Sequence, residues 1–155
     1  MTKVGELDPA VCAEMARVCA CLGFRKASRS VTQLYDQFLA PCGLRSTQLV
    51  VLLGAYVLGS SNLRRLADEL AMDRSTLTRN LKPLISQRLL HTMPAKGRGR
   101  SKSIEVTPRG QELLLTAAPL WQQAQTSLRQ RLGDERLGRV LEDLAAVTEA
   151  VRKSH

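Results

Sequence analysis

Apolar residues recur at helical spacing along most of the chain. Asp8-Pro9 opens the first helix, with Asp as N-cap and Pro at the first helical position. Val11, Met15, Val18 and Leu22 follow on one face, and Val31, Leu34, Tyr35 and Phe38 form a second stripe further on. Gly23 lies between the stripes and is the expected bend or break; Pro41-Cys42-Gly43 is the expected stop. Another helix should run from about Ser46 through Leu58 and end at Gly59-Ser60-Ser61. From Asn62 to about Met72, Leu63, Leu66, Ala67 and Leu70 share a face. Asp73 caps the next helix, whose expected buried stripe is Leu77, Leu81, Leu84 and Ile85.

After Leu90 the period changes. His91-Thr92-Met93-Pro94 and Ser103-Ile104-Glu105-Val106-Thr107 read as two short strands. Between them Ala95-Lys96-Gly97-Arg98-Gly99-Arg100-Ser101-Lys102 is a glycine-rich basic tip. Thr107-Pro108 restarts a helix through Leu113, Leu114, Leu120, Trp121 and Leu128, with a bend expected at Pro119. Gly133 punctuates, and a last helix carries Leu137, Val140, Leu141, Leu144, Val147 and Val151. There are no repeats and no low-complexity linker.

Charge is distributed unevenly over this pattern. The 155 residues carry 23 Lys and Arg against 14 Asp and Glu, a net +9, so a polyanion is the default partner. Residues 61–110 alone hold +7 of it, residues 1–60 hold +2, and residues 111–155 balance to zero. Aromatics are 3% of the chain (Phe24, Tyr35, Phe38, Tyr56 and Trp121), too few for single-strand binding on stacked rings. The longest apolar run, Leu49 to Leu58, is about half of the ~20 residues of a membrane span. The first residues lack a hydrophobic signal region, so a cytoplasmic protein with no membrane association is expected.

Four helical segments, a hairpin and two more helices make the winged helix-turn-helix plan with extra helices at both ends: mostly α, with a small β-hairpin wing. In this plan the second helix of the turn enters the major groove of double-stranded DNA, and the hairpin tip reaches the adjacent minor groove or backbone. Opposite its leucines, the helix from Asp73 offers Arg74, Ser75, Thr76, Thr78, Arg79, Asn80 and Lys82; the hairpin offers Arg98, Arg100 and Lys102. Arg64 and Arg65 are expected to hold phosphates or remain solvated.

Three stretches resemble the MarR family of bacterial transcription regulators. Leu66-Ala67-Asp68-Glu69-Leu70 followed by Asp73-Arg74-Ser75-Thr76-Leu77-Thr78-Arg79-Asn80-Leu81 is similar to that family's helix-turn-helix. Arg100 to Gly110 resembles its wing strand and following turn, and Gly43-Leu44-Arg45-Ser46-Thr47-Gln48 resembles the approach to its second helix. The resemblance covers nearly the whole chain. It implies a single domain in which residues 1–42 and 111–155 are dimerisation helices and 43–110 the DNA-binding core. It also implies a homodimer, in most cases a repressor, acting on a short palindromic operator with half-sites about 34 Å apart. The apolar stripes Val11 to Leu22 and Leu137 to Val151 exceed what one winged domain needs, in keeping with a dimer; packing of those helices within one chain is the alternative.

The chain departs from the family pattern at three points. Arg98 stands where the wing usually has an Asp that orients the tip arginine, here Arg100. Arg45 replaces a capping Thr, which leaves Ser46 as cap or the cap weak, at a cost of roughly 1 kcal/mol. Pro83 falls inside the recognition helix beyond the groove-facing residues and is expected to aim it rather than break it.

Cys12, Cys19, Cys21 and Cys42 all lie in the first quarter and are expected to be thiols. In a helix Cys19 and Cys21 stand about 200° apart and cannot share one ion, and Cys12 and Cys19 are two turns apart, so a metal would need Cys42 or a second chain; no metal or other cofactor is expected. The family's organic-hydroperoxide-sensing branch has a reactive first-helix cysteine bonded to two tyrosines; Cys21 and Tyr35 are similar in spacing, with Cys19 beside them, but Ser46 stands in place of the second tyrosine. Core or inert thiols, redox sensing through Cys21 and soft-metal binding remain the alternatives. The resemblance implies, as effector, a small phenolic or aromatic ligand held between the dimer helices and the DNA-binding core, or a peroxide.

An enzyme is not expected: there is no phosphate loop, no His-Glu-x-x-His, and neither His91 nor His155 has a carboxylate near it in sequence. The rival readings are a Cys21-dependent thiol peroxidase and a non-specific nucleic-acid-binding protein.

Overall fold

The computed structural model describes residues 8–94 and 102–152. The chain divides into two compact units between Leu34 and Tyr35.

The first unit holds α1 (Pro9–Val18) and the beginning of α2 (Ala20–Leu39). Asp8 caps α1 as expected, its carboxylate accepting the Ala10 N–H at 2.8 Å. The break comes at Cys19 and not at Gly23. Cys19 is extended (φ −69°, ψ 105°), and its Sγ accepts the Leu22 N–H at 3.4 Å, so the thiol takes the place of an N-cap for α2. Gly23 sits inside α2, its N–H bonded to the Cys19 carbonyl at 3.0 Å. A glycine costs a helix about 1 kcal/mol but keeps its N–H, so it does not end one by itself. Because Cys19 is not helical, the angular separation expected between it and Cys21 does not apply. Val11, Met15, Val18, Phe24 and Val31 are all exposed.

The second unit begins in the last turns of α2. A 3-10 turn, Ala40–Cys42, is closed by Gly43 in the left-handed region (φ 73°). There follow α3 (Ser46–Leu58), β1 (Ser61–Asn62), α4 (Leu63–Glu69), α5 (Arg74–Ser86), β2 (Leu90–Pro94), β3 (Lys102–Val106), α6 (Pro108–Leu132) and α7 (Asp134–Arg152). The core is aliphatic: Leu39, Val51, Leu52, Leu66, Leu77, Leu84, Leu89 and Leu90 are the largest fully buried side chains. α5 continues through Pro83 and α6 through Pro119.

Several expectations are corrected here. Ser46 does not cap α3. Arg45 occupies the N-cap position, and the acceptors come from elsewhere: Gln48 Oε1 takes the Arg45 N–H at 2.9 Å, and Asp36 Oδ1, on α2, takes the Ser46 N–H at 2.6 Å. Ile85 is 37% exposed rather than part of the buried stripe. The hairpin is part of a three-stranded antiparallel sheet of order β1-β3-β2, in which Ser61 pairs with Ile104 and Asn62 with Ser103. Two residues are too few to show a period, so β1 is invisible to pattern reading. His91 does have a carboxylate partner: the β2–β3 register sets it opposite Glu105, with Nε2 and Oε2 3.6 Å apart.

The wing is anchored at its base. Thr107 caps α6, accepting the Gly110 N–H at 3.0 Å while its hydroxyl donates to the Arg88 carbonyl at 2.7 Å. This ties the start of α6 to the turn before β2, where Arg88 itself is left-handed (φ 59°).

Candidate nucleic-acid interface

α5 divides into three faces. Leu77, Leu81 and Leu84 are buried in the core. At about 100° per residue, Ser75 and Arg79 point roughly opposite to them, and both are exposed. Asn80 is half-buried, about 40° around the helix from Leu84. Arg74, Thr78 and Lys82 are exposed and face sideways, toward the sheet.

The N-terminus of α5 carries a compact polar network around Asp73. Asp73 Oδ1 accepts the Thr76 N–H at 2.8 Å and the Ser75 hydroxyl at 2.5 Å. Its Oδ2 accepts the Thr76 hydroxyl at 2.6 Å. Thr76 Oγ1 in turn accepts from Arg79 Nη2 at 3.2 Å. Donation from Ser75 first, then from Thr76, holds the Asp73 carboxyl far below the usual carboxylate range, so it stays anionic. Thr78 turns its hydroxyl back onto its own helix, donating to the Arg74 carbonyl at 2.7 Å.

Beside this face lies a hollow of about 550 Å³ between α4, α5 and the sheet. Leu63, Leu81, Ile85 and Ile104 give it apolar walls; Arg64, Arg74, Lys82 and Lys102 give it a cationic rim, with Thr78 and Thr92 between. The structure thus brings Arg74, Thr78, Lys82 and Lys102, taken from the sequence as separate helix and wing residues, around one depression. It also accounts for Ile85, whose exposed side chain lines that wall. Arg98 and Arg100 lie outside the described residues. Arg64 pairs loosely with Asp68 on α4, Nε to Oδ2 3.9 Å, both side chains well exposed.

The cysteines are free thiols; Cys19 and Cys21 are exposed, Cys12 and Cys42 half-buried. Cys21 lies in the part of α2 that belongs to the first unit, and Tyr35 in the part that belongs to the second. Tyr35 packs against the core, and burial raises its phenol pKa, with the positive charge of Arg129 opposing. Among the described residues no three His, Cys, Asp or Glu side chains gather as a metal site. Among the described residues no single helix is long and apolar enough to cross a membrane.

The sequence shows the exposed polar face of α5 but not the Asp73 clamp or the hollow. The clamp had a signal: an N-cap Asp followed at the second and third positions by Ser and Thr, both short enough to reach back. The hollow had none, since its walls come from three elements.

No family model matches the sequence, and no curated protein matches it. Solved structures do. The transcriptional regulator MosR of M. tuberculosis, in complex with DNA, is 35% identical, with 88% of this chain and 98% of that one covered and a TM-score of 0.78. The MarR protein of E. coli, as a cysteine-to-serine mutant complexed with operator DNA, is 20% identical over 86% of this chain and 96% of that one, TM-score 0.76. BpsR of Bordetella bronchiseptica, whose DNA binding is regulated by 6-hydroxynicotinic acid, is 20% identical over 85% and 95%, TM-score 0.74. With its winged-helix fold, its exposed arginine- and threonine-bearing helix and its likeness to MosR, the chain belongs to the MarR family of DNA-binding transcription regulators and is not an enzyme.

Proposed function

We propose that the protein is a cytoplasmic homodimeric repressor that binds a short palindromic operator. In this reading α5 enters the major groove with Ser75, Thr76 and Arg79 toward base edges; Asn80, half-buried beside Leu84, does not share that side. Arg74 and Lys82 meet the flanking phosphates, Thr78, its hydroxyl proton given to the Arg74 carbonyl, stands between them, and the hairpin (Arg98, Arg100, Lys102) meets the adjacent minor groove or backbone. The observation that carries it is the division of α5, with Leu77 and Leu84 fully buried and Ser75 and Arg79 exposed on the far side.

Residues 1–42 and 111–155 serve dimerisation, and 43–110 the DNA. Support comes from exposed apolar side chains: Val140, Leu141, Leu144, Val147 and Val151 on α7, and Val11, Met15 and Val18 on α1. Covering such side chains gains about 25 cal/mol per Å². For the effector, the hollow favours a small aromatic carboxylate or phenolate, its ring on Leu81, Ile85 and Ile104 and its charge at Arg74 or Lys82. A ligand seated there competes with DNA for the same cations. Oxidation of the exposed Cys21 is the second route to release.

The test is footprinting on the DNA upstream of the protein's own gene, with sedimentation of the free protein. A protected palindrome bound about 10³-fold more tightly than unrelated duplex supports the reading. Equal binding to any duplex, or a monomer at the concentrations that bind, overturns it.

A further inference from the structure

We infer that Asp73 is a specificity-determining positioning residue: by taking the hydroxyl protons of Ser75 and Thr76, it presents both to DNA as hydrogen-bond acceptors only, and it fixes Arg79 through Thr76. The inference rests on α5 being the base-reading helix.

A serine or threonine hydroxyl has one proton to give and two lone pairs to receive with. Such a group ordinarily rotates to suit whatever faces it, and so discriminates little between a donor and an acceptor on DNA. Here that freedom is removed. An ionised carboxylate accepts but never donates, so the 2.5 Å contact to Ser75 Oγ and the 2.6 Å contact to Thr76 Oγ1 both have the hydroxyl as donor. These are charge-assisted bonds, about twice as strong as neutral ones, and rotating a hydroxyl away breaks one. Thr76 spends one of its lone pairs on Arg79 Nη2, which leaves one outward. Ser75 keeps both.

Two consequences follow for recognition. Phosphate oxygens and the O6 and N7 atoms of guanine are acceptors and find no proton at Ser75 or Thr76. The amino groups of adenine (N6) and cytosine (N4) are donors and do find partners there. The Asp73 charge itself also keeps phosphate away from the end of α5, where backbone N–H groups would otherwise attract it. Ser75 and Thr76 therefore read bases bearing a major-groove amino group, while Arg79, held on the same helix with its remaining N–H groups free, takes guanine.

Asp73→Asn and Asp73→Ser separate this role from helix capping. Both side chains are good N-caps and keep an acceptor for the Thr76 N–H. Neither can take two hydroxyl protons as a carboxylate does. The experiment selects wild type, both variants and Ser75→Ala/Thr76→Ala from a randomised duplex DNA library and compares base preferences, with thermal denaturation as the folding control. The wild type is expected to favour adenine or cytosine over guanine about tenfold at the base pair lost in Ser75→Ala/Thr76→Ala. In both Asp73 variants this preference falls to within about threefold, and guanine is admitted, with a single cooperative melting transition retained. Asp73 variants whose preferences superimpose on those of the wild type, while Ser75→Ala/Thr76→Ala changes them, overturn the inference alone. If Ser75→Ala/Thr76→Ala also leaves every preference in place, the assignment of α5 as base reader falls with it.

Discussion

Gly110, in the first turn of α6, lies directly against the backbone of Leu89: a Cβ on it would stand 2.3 Å from the Leu89 carbonyl oxygen and 2.7 Å from Val106 Cγ1. That carbonyl is already engaged, accepting the Thr107 N–H at 3.0 Å, so it has no room to retreat. The approach sets where the wing departs from the helices. Gly110→Ala is expected to destabilise the protein by at least about 2 kcal/mol in urea denaturation, the cost of overpacking against a fixed wall. Unchanged stability would mean that the contact is not close.

The Asp36 carboxylate replaces the missing cap of α3. Asp36→Ala should cost about 1 kcal/mol in the same measurement and Asp36→Asn much less, since an amide oxygen can accept the Ser46 N–H equally well. If alanine and asparagine cost the same, the charge and not the hydrogen bond matters.

Arg79 is the guanine candidate on the outer face of α5. Arg79→Ala should weaken operator binding by about 1–3 kcal/mol and relax the preference at one base pair per half-site. A uniform loss across all sequences would place Arg79 on phosphate instead.

Lys102 stands at the wing base on the rim of the hollow. Lys102→Ala should lower affinity for every duplex alike and reduce the slope of log K against log salt by about one unit per protomer. An unaltered slope would remove Lys102 from the interface.

Cys21 is exposed on α2 with its thiol free. Under the peroxide reading, Cys21→Ser abolishes release of the protein from DNA by an organic hydroperoxide, followed by mobility shift. Release that persists in the mutant ends that reading and leaves the aromatic-anion route.

Much of the fold could be read from local pattern. Caps announced themselves at Asp8, Asp73 and Thr107 because each has an oxygen at the right reach from the N–H groups it satisfies. The exposed Ser75 and Arg79 side of α5 was legible because its leucines repeat with the helix; that Asn80 lies half-buried beside Leu84 and that Arg74, Thr78 and Lys82 face the sheet was not. The failures share a cause. The break at Cys19 depends on a thiol acting as a cap, β1 on a partner strand some forty residues away, and the α3 cap on a carboxylate ten residues upstream. None of these leaves a period or a neighbouring signal.

The succession of the later helices and the two hairpin strands, the confinement of positive charge to residues 61–110 and the exposed Ser75 and Arg79 side of α5 were settled by the sequence alone, since each follows from residue type and spacing along one element. The tertiary structure decided that Arg74, Lys82 and Lys102 rim one apolar hollow, that Ile85 lines it instead of filling the core, and that His91 faces Glu105. Those relationships arise where separate elements meet. Packing and strand register set them, and a one-dimensional pattern carries neither.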